Sequence, residues 1–174
     1  KHPTIGAEIL SKSHHLSEYG FIYRLIVINY RCCNLIKDEF LYICRRFKKE
    51  MMIAEGNKVF YIHGLYGSRS SRKFGFIQQK YPTALCLEWK FNDNINVFIE
   101  NTFHLLETID DKITLIGSSV GGNLAWQIQQ KLIEIGKHCE LILINPLVEV
   151  AYKYEDNFPK HLVSYLKPMD KFTC

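Results

Sequence analysis

The chain has 174 residues, 47% of them hydrophobic, which is enough for one domain with a real core and too few for two. Its net charge of +4 lies wholly in residues 1–50, where Lys and Arg outnumber Asp and Glu by nine to five; residues 51–174 balance at thirteen each. Nucleic-acid binding needs a basic face on the folded domain, and the neutral stretch supplies none, so no nucleic-acid partner is expected.

Residues 1–20, KHPTIGAEILSKSHHLSEYG, show no sustained period. Phe21 to Tyr30 is apolar, but it is broken by Arg24 and too short to cross a bilayer, so no membrane association is expected. It also lacks the leading position and small-residue cleavage site of a signal peptide. Leu35, Ile36, Phe40, Ile43 and Phe47 fall at helical spacing and predict a short amphipathic helix. Charge and pattern both change at Met51. We therefore expect residues 1–50 to be an N-terminal extension that the fold does not need, and residues 51–174 to form the domain.

From Lys58 the chain alternates between two kinds of segment. KVFYIHG reads as a buried strand ending at a glycine. SSRKFGFIQQKY reads as a helix with Ser70 or Ser71 as N-cap, weakened by Gly75. TALCLEW is a second strand. DNINVFIENTFHLLETI is a helix capped by Asp93 or Asn94, with Ile95, Phe98, Ile99, Thr102, Leu105, Leu106 and Ile109 on one face. KITLIG is a third strand. GNLAWQIQQKLIEIG is a helix with a stripe of Leu124, Ile128, Leu132 and Ile135, ended by Gly136. CELILIN is a fourth strand, stopped by Pro146. Apolar strands alternating with helices predict an α/β fold, a mostly parallel sheet covered on both faces. The ligand crevice of such a sheet lies at the carboxyl ends of its strands. Three of those ends carry unusual residues: His63-Gly64, Gly117-Ser118-Ser119 and Asn145-Pro146.

GSSVG matches G-x-S-x-G in one register, with Gly117 two before and Gly121 two after Ser119; Ser118 has no glycine two before it. In such a strand-to-helix corner, small flanking residues avoid collision and the strained turn holds the serine Oγ out at the top of the sheet. Ser119 is then a nucleophile, and the Val120 N–H is one oxyanion donor at a helix N-terminus. The bland alternative is a glycine-rich turn that only packs tightly. A phosphate-cradling loop would need G-K-[ST] or G-x-G-x-x-G, and neither is present. YIHGLYGS suggests the second donor, the Leu65 N–H, with Gly64 allowing close approach. His63 reads as an organiser of that loop, because a base there would break the chain order Ser, acid, His.

The cysteines, Cys32, Cys33, Cys44, Cys86, Cys139 and Cys174, form no C-x-x-C pair. No zinc site, disulfide framework or cofactor is expected. Free thiols of this kind fit a reducing, cytoplasmic setting.

VFYIHGLYGSRSSRKF, LIGSSVGGNLAWQI and LILINPLVEV, in this order, resemble the YqiA/YcfP-type small bacterial esterases of the α/β-hydrolase superfamily. The resemblance spans residues 51–155 and implies a minimal, lidless hydrolase fold, hydrolysis of short acyl esters, and Ser119 as nucleophile. Such enzymes also carry an acid and a histidine after later strands. Here no strand–Asp or Gly-x-His pattern follows Pro146, and the sequence stops at Cys174. His138 and His161 are not placed to serve as base, and Glu149 and Asp156 read as solvated loop charges. The expectation is a hydrolase domain incomplete at its C-terminus, acting on a small-molecule ester. The alternatives are an inactive hydrolase-fold binding module, and a thioesterase or peptidase using the same serine. Oligomeric state is open.

Overall fold

Buried strands that bond only through their backbones can stack side by side when helices cover both faces, and this chain does so. The structure, a computed structural model, describes residues 8–15, 22–29, 56–148 and 158–169, the first two segments as backbone course alone. In chain order the elements are β1 (Glu8–His15), β2 (Ile22–Asn29), β3 (Lys58–Ile62), α1 (Arg72–Lys80), β4 (Leu85–Leu87), α2 (Ile95–Glu107), β5 (Ile113–Ser118), α3 (Val120–Glu134), β6 (Cys139–Ile144) and α4 (Lys160–Val163). They form one six-stranded sheet in the order β1-β2-β6-β5-β3-β4. All neighbours are parallel except β1 and β2, which pair antiparallel from Glu8↔Asn29 to His15↔Ile22. The α/β class expected from the alternating pattern is the class observed.

Strand alternation sorts the core into two layers. Phe60, Ile62, Leu115, Leu141 and Leu143 pack with Ile95, Ile99 and Leu106 of α2 and Leu124, Ile128 and Leu132 of α3. Val59, Tyr61, Ile116, Ile142 and Ile144 pack on the other face, with Phe74 and Ile77 of α1. The chain steps from β3 to β4 in one direction, then from β4 through β5 to β6 in the other. Crossovers of one hand running in opposite directions put their helices on opposite faces. The reversal leaves a crevice at the carboxyl ends of β3 and β5, the place where such sheets bind ligands.

Local chemistry sets the element ends. Ser71 caps α1, its Oγ accepting from Phe74 N at 3.3 Å. Gly75 does not break that helix, and its missing side chain would face open space. Asn94 caps α2 by accepting from Asn96 N and Val97 N. Gly136 (φ +74°) ends α3, with Gly136 N on Ile133 O and Lys137 N on Leu132 O, both 2.8 Å. That pair of bonds is the Schellman closure, and it needs a left-handed residue at this point.

Some expectations need correction. Leu105 is 50% exposed and Ile135 52% exposed, so neither belongs to its helix's buried stripe. β4 covers only Leu85–Leu87 of the run Thr83–Trp89, because Trp89 leaves the ladder to bond His63. No strand was expected before residue 51, yet β2 lies parallel to β6 from Leu25↔Leu141 to Ile28↔Ile144. The helix expected over residues 35–47 lies outside the described residues, as do Glu149 and Asp156. Among the described residues, no helix is long and apolar enough to cross a membrane.

Candidate active site

Ser119 sits between the end of β5 and the start of α3 with φ 54° and ψ −121°. A serine with positive φ is strained, and the surroundings must hold it there. Three packing contacts do so. A Cβ on Gly117 would lie 2.5 Å from the Gly121 carbonyl oxygen. A Cβ on Gly121 would overlap the carbonyl oxygens of Ile62 and His63. A Cβ on Gly122 would crowd Pro146 at 3.0 Å. The glycines at 117 and 121 therefore let α3 start directly against the ends of β3 and β5. Backbone bonds close the corner: Ser119 N donates to Ile144 O, and Leu147 N donates to Ser119 O, each at 3.1 Å.

The β3 end supplies the facing wall. Gly64 lies so near that a Cβ there would stand 3.1 Å from both Ser118 O and Ser119 Cβ. Gly67 N donates to Gly64 O at 2.9 Å, which closes a turn through Leu65 and Tyr66, with Tyr66 at φ 57°. The N–H groups of Leu65 and Val120 have no hydrogen-bond acceptor among the described residues. His63, Gly64, Leu65, Ser118 and Ser119 share one cavity of about 510 Å³; Gly117 and Gly121 pack behind it, and the Val120 side chain is in the core.

His63 is 2% exposed, and its ring is committed on both edges. Nδ1 faces the Gly64 carbonyl at 2.8 Å and must donate to it, while Nε2 accepts the Trp89 N–H at 3.4 Å. The ring also stacks on Trp89, with centroids 5.5 Å apart. Both nitrogens are thus used to hold the turn. Among the described residues no other histidine lines the cavity, and none hydrogen-bonds Ser119. His161 Nε2 donates to Phe91 O at 3.0 Å, and His104 pairs with Glu107.

Residues not singled out from sequence complete the cavity. Lys73, in the first turn of α1, donates to Ser118 Oγ at 2.9 Å. Burial holds its ammonium below the usual lysine range. Burial pushes the Tyr61 phenol up, partly offset by hydrogen bonds with Ser71 and Ser118. Behind the elbow, Asn123 is fully buried; Nδ2 donates to Leu147 O and Lys167 O, and Oδ1 accepts from Lys167 N and from Gln127 Nε2. A polar residue in an apolar helix face signals such a pin only once its partners are known, since they lie 24 and 44 residues away.

No protein-family model matches the chain, and no curated protein matches it either. Solved structures similar to it include a YdeN-like hydrolase from Pectobacterium atrosepticum, at 14% identity and TM-score 0.43, over 70% of this chain and 61% of that one. An α/β-hydrolase superfamily protein from Enterococcus faecalis is similar at 17% identity and TM-score 0.40, over 67% of this chain and 50% of that one. The iron-lacking apo form of EstFA is similar at 18% identity and TM-score 0.42, over 95% and 52%. The chain thus spans about half to three-fifths of the length of these structures.

Proposed function

We propose that this chain carries the nucleophile and oxyanion half of a serine hydrolase acting on small carboxylic esters. The observation that carries the reading is the strained Ser119 corner, cleared by Gly117 and Gly121 and opposed by the Gly64–Leu65 turn across a shared cavity. In this reading Ser119 Oγ attacks the ester carbonyl. The Leu65 and Val120 N–H groups hold the oxygen as it gains charge. The intermediate expels the alcohol and leaves an acyl-serine, which water hydrolyses. The serine proton must pass to a base, and His63 is not that base because both of its ring nitrogens are engaged. A serine without its base turns over on the order of 10⁶ more slowly in such enzymes. With the groups that face Ser119 among the described residues, it should acylate slowly.

The test is covalent labelling with a fluorophosphonate, read by mass spectrometry, beside p-nitrophenyl acetate hydrolysis. The reading expects modification at Ser119, abolished in Ser119→Ala. Labelling elsewhere, or none under forcing conditions, would overturn it and favour the second reading, a hydrolase-fold binding module. That second reading draws on the lack of any histidine against Ser119 among the described residues. A panel of thioesters and peptides tests whether oxygen esters are the preferred acyl donors.

A further inference from the structure

The cavity beside Ser119 is lined by two cations, Arg72 and Lys73, and, among the described residues, by no carboxylate. Both are in the first turn of α1, which has no acidic residue. Cations at a helix N-terminus oppose the helix dipole, so the arrangement carries an electrostatic cost without a partner. Lys73 is half-buried and forms no salt bridge among the described residues; its amine bonds the neutral Ser118 hydroxyl. The Glu88 carboxylate is already occupied by Arg69, through the backbone N–H at 3.0 Å and the guanidinium at 2.6 Å. Tyr61, 1% exposed, adds a hydroxyl to the same wall. A solvated lysine would extend into water. This one turns inward, one residue from the serine at the elbow.

We propose that this cavity is a subsite for an anionic group, and that the ester it takes carries a carboxylate a few bonds from its carbonyl, with Lys73 as its main partner and Arg72 at the rim. The proposal rests on the reading of Ser119 as the reacting serine. It adds a substrate class: acidic half-esters rather than neutral short-chain esters. A carboxylate in the cavity would accept from the Lys73 ammonium in a charge-assisted bond, relieve the unpaired charge and orient the ester carbonyl toward Leu65.

The experiment uses the full chain carrying Ser119→Ala, so that binding is read without turnover. Monoethyl succinate and its uncharged counterpart ethyl butyrate are titrated by calorimetry. The expected result is at least about tenfold tighter binding of monoethyl succinate, the scale of one charge-assisted hydrogen bond. Adding Lys73→Met should bring the two within about twofold, and Lys73→Gln should do the same if the methionine variant folds poorly. Lys73→Arg should keep most of the preference. Equal binding of the two esters in the Ser119→Ala chain would overturn the proposal, as would a preference that survives both Lys73→Met and Lys73→Gln. Failure of the serine reading shows differently: the fluorophosphonate would leave Ser119 unmodified while the anion preference persisted.

Discussion

Trp89 donates its indole N–H to the His63 carbonyl at 2.9 Å while its backbone N–H bonds the same residue's ring. One residue just past β4 thus fixes the turn that faces Ser119, through its backbone and its side chain. In Trp89→Phe the ring stack is retained and the carbonyl loses its donor. A buried carbonyl left unpaired costs about 1–3 kcal/mol, which urea unfolding should show. The displaced turn should slow fluorophosphonate labelling of Ser119 about 10–100-fold, since small misplacements at a reacting centre have effects of that size. Unchanged labelling would mean that Trp89 serves the core alone.

Gly121 and Gly75 make a matched pair. A methyl group on Gly121 meets the carbonyl oxygens of Ile62 and His63, which are backbone atoms and cannot swing away. Gly121→Ala should cost more than about 3 kcal/mol or prevent folding. Gly75 sits in the middle of α1 with nothing within 4 Å of its absent Cβ. Gly75→Ala should stabilise by about 0.5–1 kcal/mol. Thermal melts of the two variants decide the matter, and equal effects would show that the elbow is not packed as described.

The contrast between these glycines shows what a sequence can carry. The spacing Gly117, Ser119, Gly121 is legible because the pattern itself is local, all within five residues, whereas the atoms it packs against are not. β3, β5 and β6 are legible because strands buried on both faces run nearly continuously apolar, as in Val59–Ile62, Leu115–Ile116 and Leu141–Ile144. Lys73, Trp89 and Asn123 are not legible, because their meaning comes from approach across the sheet: Lys73 to Ser118 is 45 residues apart in sequence, and Trp89 to His63 is 26. β2 was missed for a different reason. Its apolar run was weighed as a membrane or leader segment, and no sequence period says that it lies beside β6.

Asn123 joins the elbow helix to the residues after β6. It makes four hydrogen bonds, to Leu147, Lys167 twice, and Gln127. Asn123→Leu keeps the volume but leaves the buried Leu147 carbonyl and the part-buried Lys167 carbonyl without this donor. The expected cost is about 2–4 kcal/mol, with faster proteolysis near residues 160–169. A variant as stable as the parent, cut at the same rate, would contradict the pin.

Cys86 offers a pH test. Its thiol is pushed up to about 11, by burial first and then by the Glu88 charge, with Arg69 opposing. The thiolate is the reactive form. Alkylation of Cys86 by iodoacetamide, followed by peptide mapping, should therefore rise about tenfold per pH unit from pH 7 to 10. The linkage sign follows. With the folded pKa above the unfolded value, the folded state binds more protons between about 9 and about 11, so stability falls as pH rises through that window. Below pH 9 the contribution is flat. Cys139 is fully buried, and burial pushes its thiol still higher, so it should react only when the chain unfolds. A rate for Cys86 that levels off near pH 8 would show that its environment is not the one described.

The strand pairing of β2 bears on whether residues 1–50 are dispensable. The charge change at Met51 argues that they are. The sheet argues otherwise, because Leu25–Ile28 run beside Leu141–Ile144, and Leu141 and Leu143 are fully buried. Without β2, the outer edge of β6 would present unpaired N–H and C=O groups along an apolar strand, the kind of edge that recruits other chains. Residues 51–174 expressed alone should therefore unfold at lower urea concentration than the full chain, and should associate as concentration rises. Sedimentation and urea titration measure both. A monomer that unfolds with the same midpoint and slope would show that β6 tolerates a free edge, and that the domain begins near Met51 as its charge pattern indicates.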